Sequence, residues 1–205
     1  DTYEAVYTRI TEEDVSTLKG LDDFSRVGEY YMLAVEPAEQ GYNASYIYCD
    51  EETMYIARDQ MKLLEGRLPQ KEDEVVVSRY FLSNYAADAG IGEKVMLSSE
   101  SFHGEYTVTG IMEGYKEKEV NGSSILLSKE ALKGWSGYDP ADYRAYVHFK
   151  NEQQMDETEL TARSREIAKE YQLEMPIMNL SYMKFYKQPV NVSMLALVAG
   201  IAVLV

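Results

Sequence analysis

A single cysteine, Cys49, stands in 205 residues, so no intramolecular disulfide can form, and redox, haem and cysteine-rich zinc motifs are excluded by count. A domain of this length folds without covalent staples, so the compartment has to be read from something other than cysteine. Histidine is nearly as scarce: His103 lies in a polar loop and His148 in an expected strand beside Val147 and Phe149. Neither has a His-x-x-x-His or Glu-x-x-His partner, and no metal site is assigned, because such sites ordinarily gather three or four convergent ligands. Gly-x-Ser-x-Gly elbows, lysine-bearing phosphate loops and dinucleotide fingerprints are missing as well. No catalytic, cofactor-binding or metal-ligating residue is therefore named.

Basic residues are few, 20 Lys and Arg against 35 Asp and Glu, for a net charge of −15. Nucleic acid and anionic lipid surfaces attract the opposite sign, which sets both aside as partners; the acidity reads as solubility. Adjacent carboxylates such as Asp22-Asp23 and Glu51-Glu52 share one solvent environment, whereas acid–base catalysis needs two environments that separate the pKa values.

What the chain does have is 45% hydrophobic residues, enough for a real core, and 18 tyrosines. Tyr30-Tyr31 and the set Tyr42, Tyr46 and Tyr48 read either as strand and core packing or as an aromatic patch for a peptide, lipid or sugar. The run from Val190 to Val205 carries no charge and reads as a membrane span cut short by the end of the chain. Tyr182, Lys184, Phe185, Tyr186 and Lys187 before it form the aromatic and basic mixture suited to a headgroup region. Asp1 opens in polar sequence with no signal-peptide pattern, as expected if a leader was removed or the chain was cut from a longer parent.

Caps and periodicity predict four helices: residues 12–19 after Thr11, ending at Gly20; a helix from Ser78 to Gly90 with Leu82, Tyr85, Ala86 and Ala89 on its buried face; residues 129–134 after Ser128; and a long helix from 152 or 156 to 171. Strands are expected at 3–9, 26–35, 46–49, 74–77, 94–97, 105–112, 124–127, 143–149 and 175–178. Asn121-Gly122 signals a tight turn between an extended stretch ending at Val120 and the next strand. The two ends each read strand, helix, strand, and such units pair into a split sheet with both helices on one face. The expected fold is α+β: a porter-like split βαβ subdomain from residues 1–49 and 139–188, a smaller inserted α/β subdomain at 50–138, and the start of a transmembrane helix at 189–205.

The middle segment runs Leu64-Glu65-Gly66-Arg67-Leu68-Pro69, then Glu74-Val75-Val76-Val77-Ser78, then Ala89-Gly90-Ile91-Gly92-Glu93-Lys94-Val95-Met96-Leu97, then Tyr106-Thr107-Val108-Thr109-Gly110-Ile111. A Gly-Arg-x-Pro turn, a Glu-led apolar strand, a helix into Gly-x-x-Val and a strand ending in Gly-Ile resemble, in that order, the periplasmic core domain of MacB-type, FtsX-like ABC transporter permeases. The opening at 10–15, followed by Val27-Gly28, is similar to the start of that domain. Locally, Gly66 and Gly92 suit positive-φ turns, and Gly110 suits a bend or a close backbone approach.

The resemblance implies a non-catalytic extracytoplasmic domain set between the first and second membrane helices of a four-helix permease. It also implies a cytoplasmic ABC ATPase subunit, a second permease copy and an outer substrate of peptide, lipid or drug-like class. No tip for docking an outer-membrane channel is identifiable. Two rival readings remain at this point: a ligand-binding or sensor domain with one C-terminal anchor, motivated by the tyrosine clusters, and a surface hydrolase with paired carboxylates in a deep cleft.

Overall fold

The computed structural model describes residues 2–57, 61–114 and 116–186. The chain folds as β1 (Ala5–Ile10), α1 (Glu12–Lys19), β2 (Phe24–Pro37), β3 (Asn43–Cys49), α2 (Glu51–Ile56), β4 (Met61–Gly66), β5 (Glu74–Ser78), α3 (Arg79–Tyr85), β6 (Lys94–Ser98), β7 (His103–Gly114), α4 (Glu117–Val120), β8 (Gly122–Leu127), α5 (Lys129–Gly134), β9 (Tyr143–Phe149), α6 (Glu157–Glu170), β10 (Ile177–Met178) and α7 (Leu180–Tyr186). A turn of 3₁₀ helix at Glu152–Gln154 precedes α6.

Local chemistry sets the helix starts. Thr11 and Asp14 form a reciprocal capping box at 3.1 and 2.8 Å, Asp156 and Glu159 form another at 2.8 and 2.9 Å, and Ser78 and Ser128 each accept from the third residue of their helix at 3.0 Å. α1, α5 and α6 therefore begin where the sequence places them. α3 begins at its expected cap but ends at Tyr85, five residues short of Gly90, because Ala86 leaves helical geometry at φ −152°. The chain there turns into β6: the Gly90 N–H donates to Glu93 Oε2 at 2.7 Å, and Ala86 and Ala89 pack on the core from the turn.

Asn121-Gly122 is not a hairpin turn. Val120 ends the short helix α4, Asn121 caps it in left-handed geometry at φ 46°, and Gly122 opens a strand that pairs in parallel with β3. α2, β4, α4 and α7 have no counterpart among the sequence expectations.

Strands of the described residues join one ten-stranded mixed sheet in the order β10-β1-β9-β2-β3-β8-β5-β7-β4, with β6 also on β7. β9 lies antiparallel between β1 and β2, and β1 lies between β9 and β10, so the two strand–helix–strand units interdigitate as a split βαβ sheet. Beyond β2 the sheet continues through the β2–β3 hairpin, then crosses by the parallel β3–β8 ladder to β8, β5, β7, β4 and β6.

Side-chain alternation assigns two faces. Val75, Val77, Ile125, Leu127, Tyr31 and Tyr46 point to a large core that also holds Val15 and Leu18 of α1, Phe81 of α3, Leu132 of α5, and Leu160, Ile167 and Ala168 of α6. Val76, Leu126, Tyr30, Ile47 and Cys49 point the other way, against Met54 and Ala57 at α2. Both long helices thus share one face, as the sequence pattern requires.

The segment around the Gly-Arg-x-Pro turn has a physical reason for each residue. Arg67 grips Glu74 with two nitrogens at 2.8 and 2.7 Å, and the Gln70 N–H donates to the same carboxylate at 2.8 Å, closing the turn between β4 and β5. Gly66 has φ +80°, and a Cβ there would lie 2.2 Å from the Thr109 carbonyl; a Cβ on Gly110 would lie 2.8 Å from the Arg67 carbonyl. The two backbones touch only because both residues are glycine. Gly92 also takes positive φ, at +87°.

The Arg67 guanidinium, helped by backbone N–H donors, holds the Glu74 carboxyl down from 4.5 to about 2. Its folded pKa is depressed, so the stability it contributes is complete above pH 4.5 and is lost as pH falls through about 2. Glu74→Gln is expected to flatten the acid limb of stability between those values, measured as the urea midpoint against pH; parallel limbs for the two proteins would contradict the pairing.

Candidate functional site

The residues singled out in the sequence fall mostly into structural roles. Asp23 holds Arg163 through two oxygens at 2.7 and 2.9 Å, Asp22 meets Lys150 at 3.2 Å, and Glu52 meets Arg26 at 2.7 Å. Asp22, Asp23 and Glu52 are thus drawn into ion pairs, each with a different basic partner. His103 opens β7 opposite Ser98 and is exposed.

Tyr30, Tyr31, Tyr42 and Tyr46 are buried and Tyr48 is half-buried, so these tyrosines serve the core and offer no surface patch. Tyr31 donates to the Asp139 carbonyl at 3.2 Å and accepts from its N–H at 2.9 Å; Tyr42 leans on Tyr85 with centroids 4.4 Å apart. Burial pushes the Tyr46 hydroxyl up to about 12, against a hydrogen bond with Ser99 at 2.7 Å.

Two arrangements remain that no local signal announces. One is the seam where the sheet passes from β3 to β8. Lys129, at the start of α5, places its ammonium 2.5 Å from Glu29 Oε1 on β2 and 2.6 Å from Glu12 Oε1 on α1. The same ammonium lies over the rings of Tyr48 on β3 and Tyr143 on β9, at 5.5 and 5.9 Å. Lys133 adds a contact to Glu12 Oε2 at 2.8 Å, while Lys19 joins Glu29 Oε2 at 3.4 Å and Asp50 Oδ2 at 2.9 Å. Glu29 is only 5% exposed.

Burial alone would depress the Lys129 ammonium, but Glu12 and Glu29 outweigh it and raise its pKa. Hydrogen bonds from Lys129 and Lys133 lower the Glu12 carboxyl. Asp50, which caps α2 through the Thr53 N–H at 2.9 Å, also accepts from the Glu29 N–H at 2.9 Å, so the network reaches the backbone of β2.

The other arrangement is the base, where the two described ends of the chain come together. The Asn179 N–H donates to the Glu4 carbonyl at 2.8 Å and its side chain to the Tyr3 carbonyl at 3.1 Å, while β10 pairs with β1. Glu4 is fully buried; it accepts from the Phe149 N–H at 2.9 Å and meets His148 Nδ1 at 3.0 Å. Burial raises its carboxyl pKa despite the opposing pull of His148. Glu152 lies beside the pair and accepts from the Tyr182 hydroxyl of α7 at 3.4 Å. Sequence reasoning assigned His148 no partner because Glu4 lies 144 residues away along the chain. The spacing of Glu152, four residues after His148, was the one signal available.

The expected membrane-span start at 189–205 lies outside the described residues, among which no helix is long and apolar enough to cross a membrane. No family model matches the chain, and no curated protein matches it. Solved structures do. The extracellular domain of the noncanonical ABC-type transporter YknZ from Gram-positive bacteria superimposes with a TM-score of 0.59 at 16% identity, over 85% of this chain and 98% of that one. A domain of a Porphyromonas gingivalis protein described as a permease gives 0.58 at 14%, over 95% and 96%. The periplasmic region of MacB from Actinobacillus actinomycetemcomitans gives 0.54 at 12%, over 86% and 87%. The chain has a MacB-like fold. Within that fold, the Gly66-to-Ile111 pattern is the β4–β7 half of the sheet, and the Lys129 network fastens it to the β1–β3 and β9 half.

Removing Lys129 leaves a buried carboxylate with Lys19 as its remaining cation in the network. Lys129→Met is expected to cost about 2 kcal/mol, less than a fully enclosed pair because the lysine is partly exposed. Glu29→Gln in the same chain should restore part of the loss. Urea denaturation of the single and double variants measures both; a Lys129→Met effect below about 0.5 kcal/mol, the scale of an ordinary surface change, would show the network to be decorative.

Proposed function

We propose that the chain is the extracytoplasmic domain of a bacterial ABC transporter permease, inserted between two membrane helices, and that it carries movement rather than chemistry. The observation that carries this reading is the base: the first and last described strands pair side by side, and Asn179 ties them through two hydrogen bonds at 2.8 and 3.1 Å. A domain threaded between neighbouring membrane helices needs its two ends adjacent on one side. The MacB-like fold and the apolar run from Val190 to Val205 support the same placement.

In this reading a cytoplasmic ABC ATPase shifts the membrane helices, the shift enters through β1 and β10, and a second permease copy completes the transporter. Residues 1–49 and 139–188 act as one unit and residues 50–138 as the other, joined by the β3–β8 ladder and the Lys129 network. Movement of one unit against the other presents or releases an outer substrate of peptide, lipid or drug-like class. The sensor reading loses its motive, since the tyrosines that suggested it are core residues.

Cys49 supplies an internal control for topology. It is 4% exposed, and burial raises its thiol pKa, so it should not react in the folded protein. Val35 is 63% exposed. In intact cells making the full-length parent with any cysteine outside these 205 residues replaced by serine, Val35→Cys is expected to react with a membrane-impermeant maleimide while the protein retaining Val35 stays unlabelled. Labelling only after the membrane is opened would overturn the placement.

A further inference from the structure

We propose that Glu4, His148 and Glu152 form a binding site for a divalent transition-metal ion of the zinc class, at the base of the domain. One ligand atom from each residue lies within 4.8 Å of the others. The three come from separate places in the chain: the residue just before β1, the end of β9 and the 3₁₀ turn before α6. Ligand atoms around a four-coordinate zinc, each about 2.0–2.2 Å from the metal, lie roughly 3.4 Å apart; the Glu4–His148 pair, at 3.0 Å, has to open slightly, and the widest separation, at most 4.8 Å, has to close by up to about 1.4 Å. Glu152, only half-buried and on a single turn of helix, is the member able to make that movement.

The donor set selects the ion. One imidazole nitrogen with two carboxylates suits zinc and its first-row neighbours, whereas calcium takes six to eight oxygens and magnesium keeps most of its water. A fourth position is left to water. The burial of Glu4 provides the driving force: a carboxylate at 0% exposure, beside a second carboxylate and a histidine, sits in a place that favours added positive charge. On binding, Nδ1 and the carboxylate of Glu4, now 3.0 Å apart, would cease to face each other directly and both turn to the metal.

Around this set, the Phe149 N–H on Glu4 at 2.9 Å and the Tyr182 hydroxyl on Glu152 at 3.4 Å are placed to orient the carboxylates as outer partners do in metal sites. Tyr182 belongs to α7, and Glu4 immediately precedes β1. A metal here would therefore clamp the incoming strand to the outgoing helix, stiffening the link between the domain and whatever its ends connect to. The site goes beyond the transport reading and does not depend on it.

Zinc chloride titrated into the 205-residue chain, held in detergent because of its apolar C-terminal run, is the direct probe. One zinc per chain is expected by calorimetry, with a Tm rise of roughly 5–10 °C at a hundredfold excess over Kd. Calcium should give neither. His148→Ala and Glu152→Gln are each expected to weaken binding at least about tenfold while keeping the metal-free circular dichroism; Glu152→Gln covers the case in which a change at buried Glu4 or at His148 disturbs folding. Absence of binding, or equal binding by the wild-type and Glu152→Gln proteins, would overturn the site, the second result meaning an adventitious ion only.

Discussion

One lysine fastens the architecture together. Lys129 reaches from α5, which follows β8, to carboxylates on α1 and β2 and to ring faces on β3 and β9, so a single side chain of one half is held by four elements of the other. The strand contact it reinforces is the parallel β3–β8 ladder, a slightly weaker pairing per residue than an antiparallel one. An ion pair of this burial is not a large source of net stability, because desolvation consumes much of the Coulomb gain. Its effect is on arrangement: an alternative packing of the halves that separates Lys129 from Glu29 leaves a buried carboxylate short of its cation.

The seam and the base lie at different parts of the sheet and have different chemistry. At the seam, lysines and carboxylates partly reached by water bridge α1, α2, α5 and β2. At the base, a fully buried glutamate, a histidine and short backbone contacts join β1, β9 and β10. Most seam charges keep solvent access and re-form their pairs at modest cost after displacement, but Glu29, like Glu4 at the base, is buried and must keep a partner or lose its charge. These features fit a domain held firmly at its base, with a seam that adjusts only as far as Lys129 and Lys19 stay within reach of Glu29.

Much of this was legible in the sequence, and the rest was hidden for physical reasons. Thr11, Ser78, Ser128 and Asp156 announced their helices because a cap is a contact within three residues. Asp50 followed by Glu51 and Glu52 carries the same signal for α2, but a helix of only six residues has too little periodicity to stand out in the sequence. The end of α3 at Tyr85 and the helical cap at Asn121 depend on where β6 and β8 must go, which no local pattern states. Gly66 and Gly110 were recognisable as special positions, but the reason, two backbones in contact, needed the fold. The Glu4–His148 pair joins residues 144 positions apart and the Lys129–Glu29 pair residues 100 apart, beyond the range of any motif.

The central claim is that the two halves of the sheet move against each other about the seam when the transporter is driven. Spin labels at Val35 on β2 and Met96 on β6, both exposed and on opposite halves, report it in the full-length permease assembled with its ATPase. The distance distribution measured without nucleotide is expected to shift when ATP is bound. Superimposable distributions in the two states would contradict the claim.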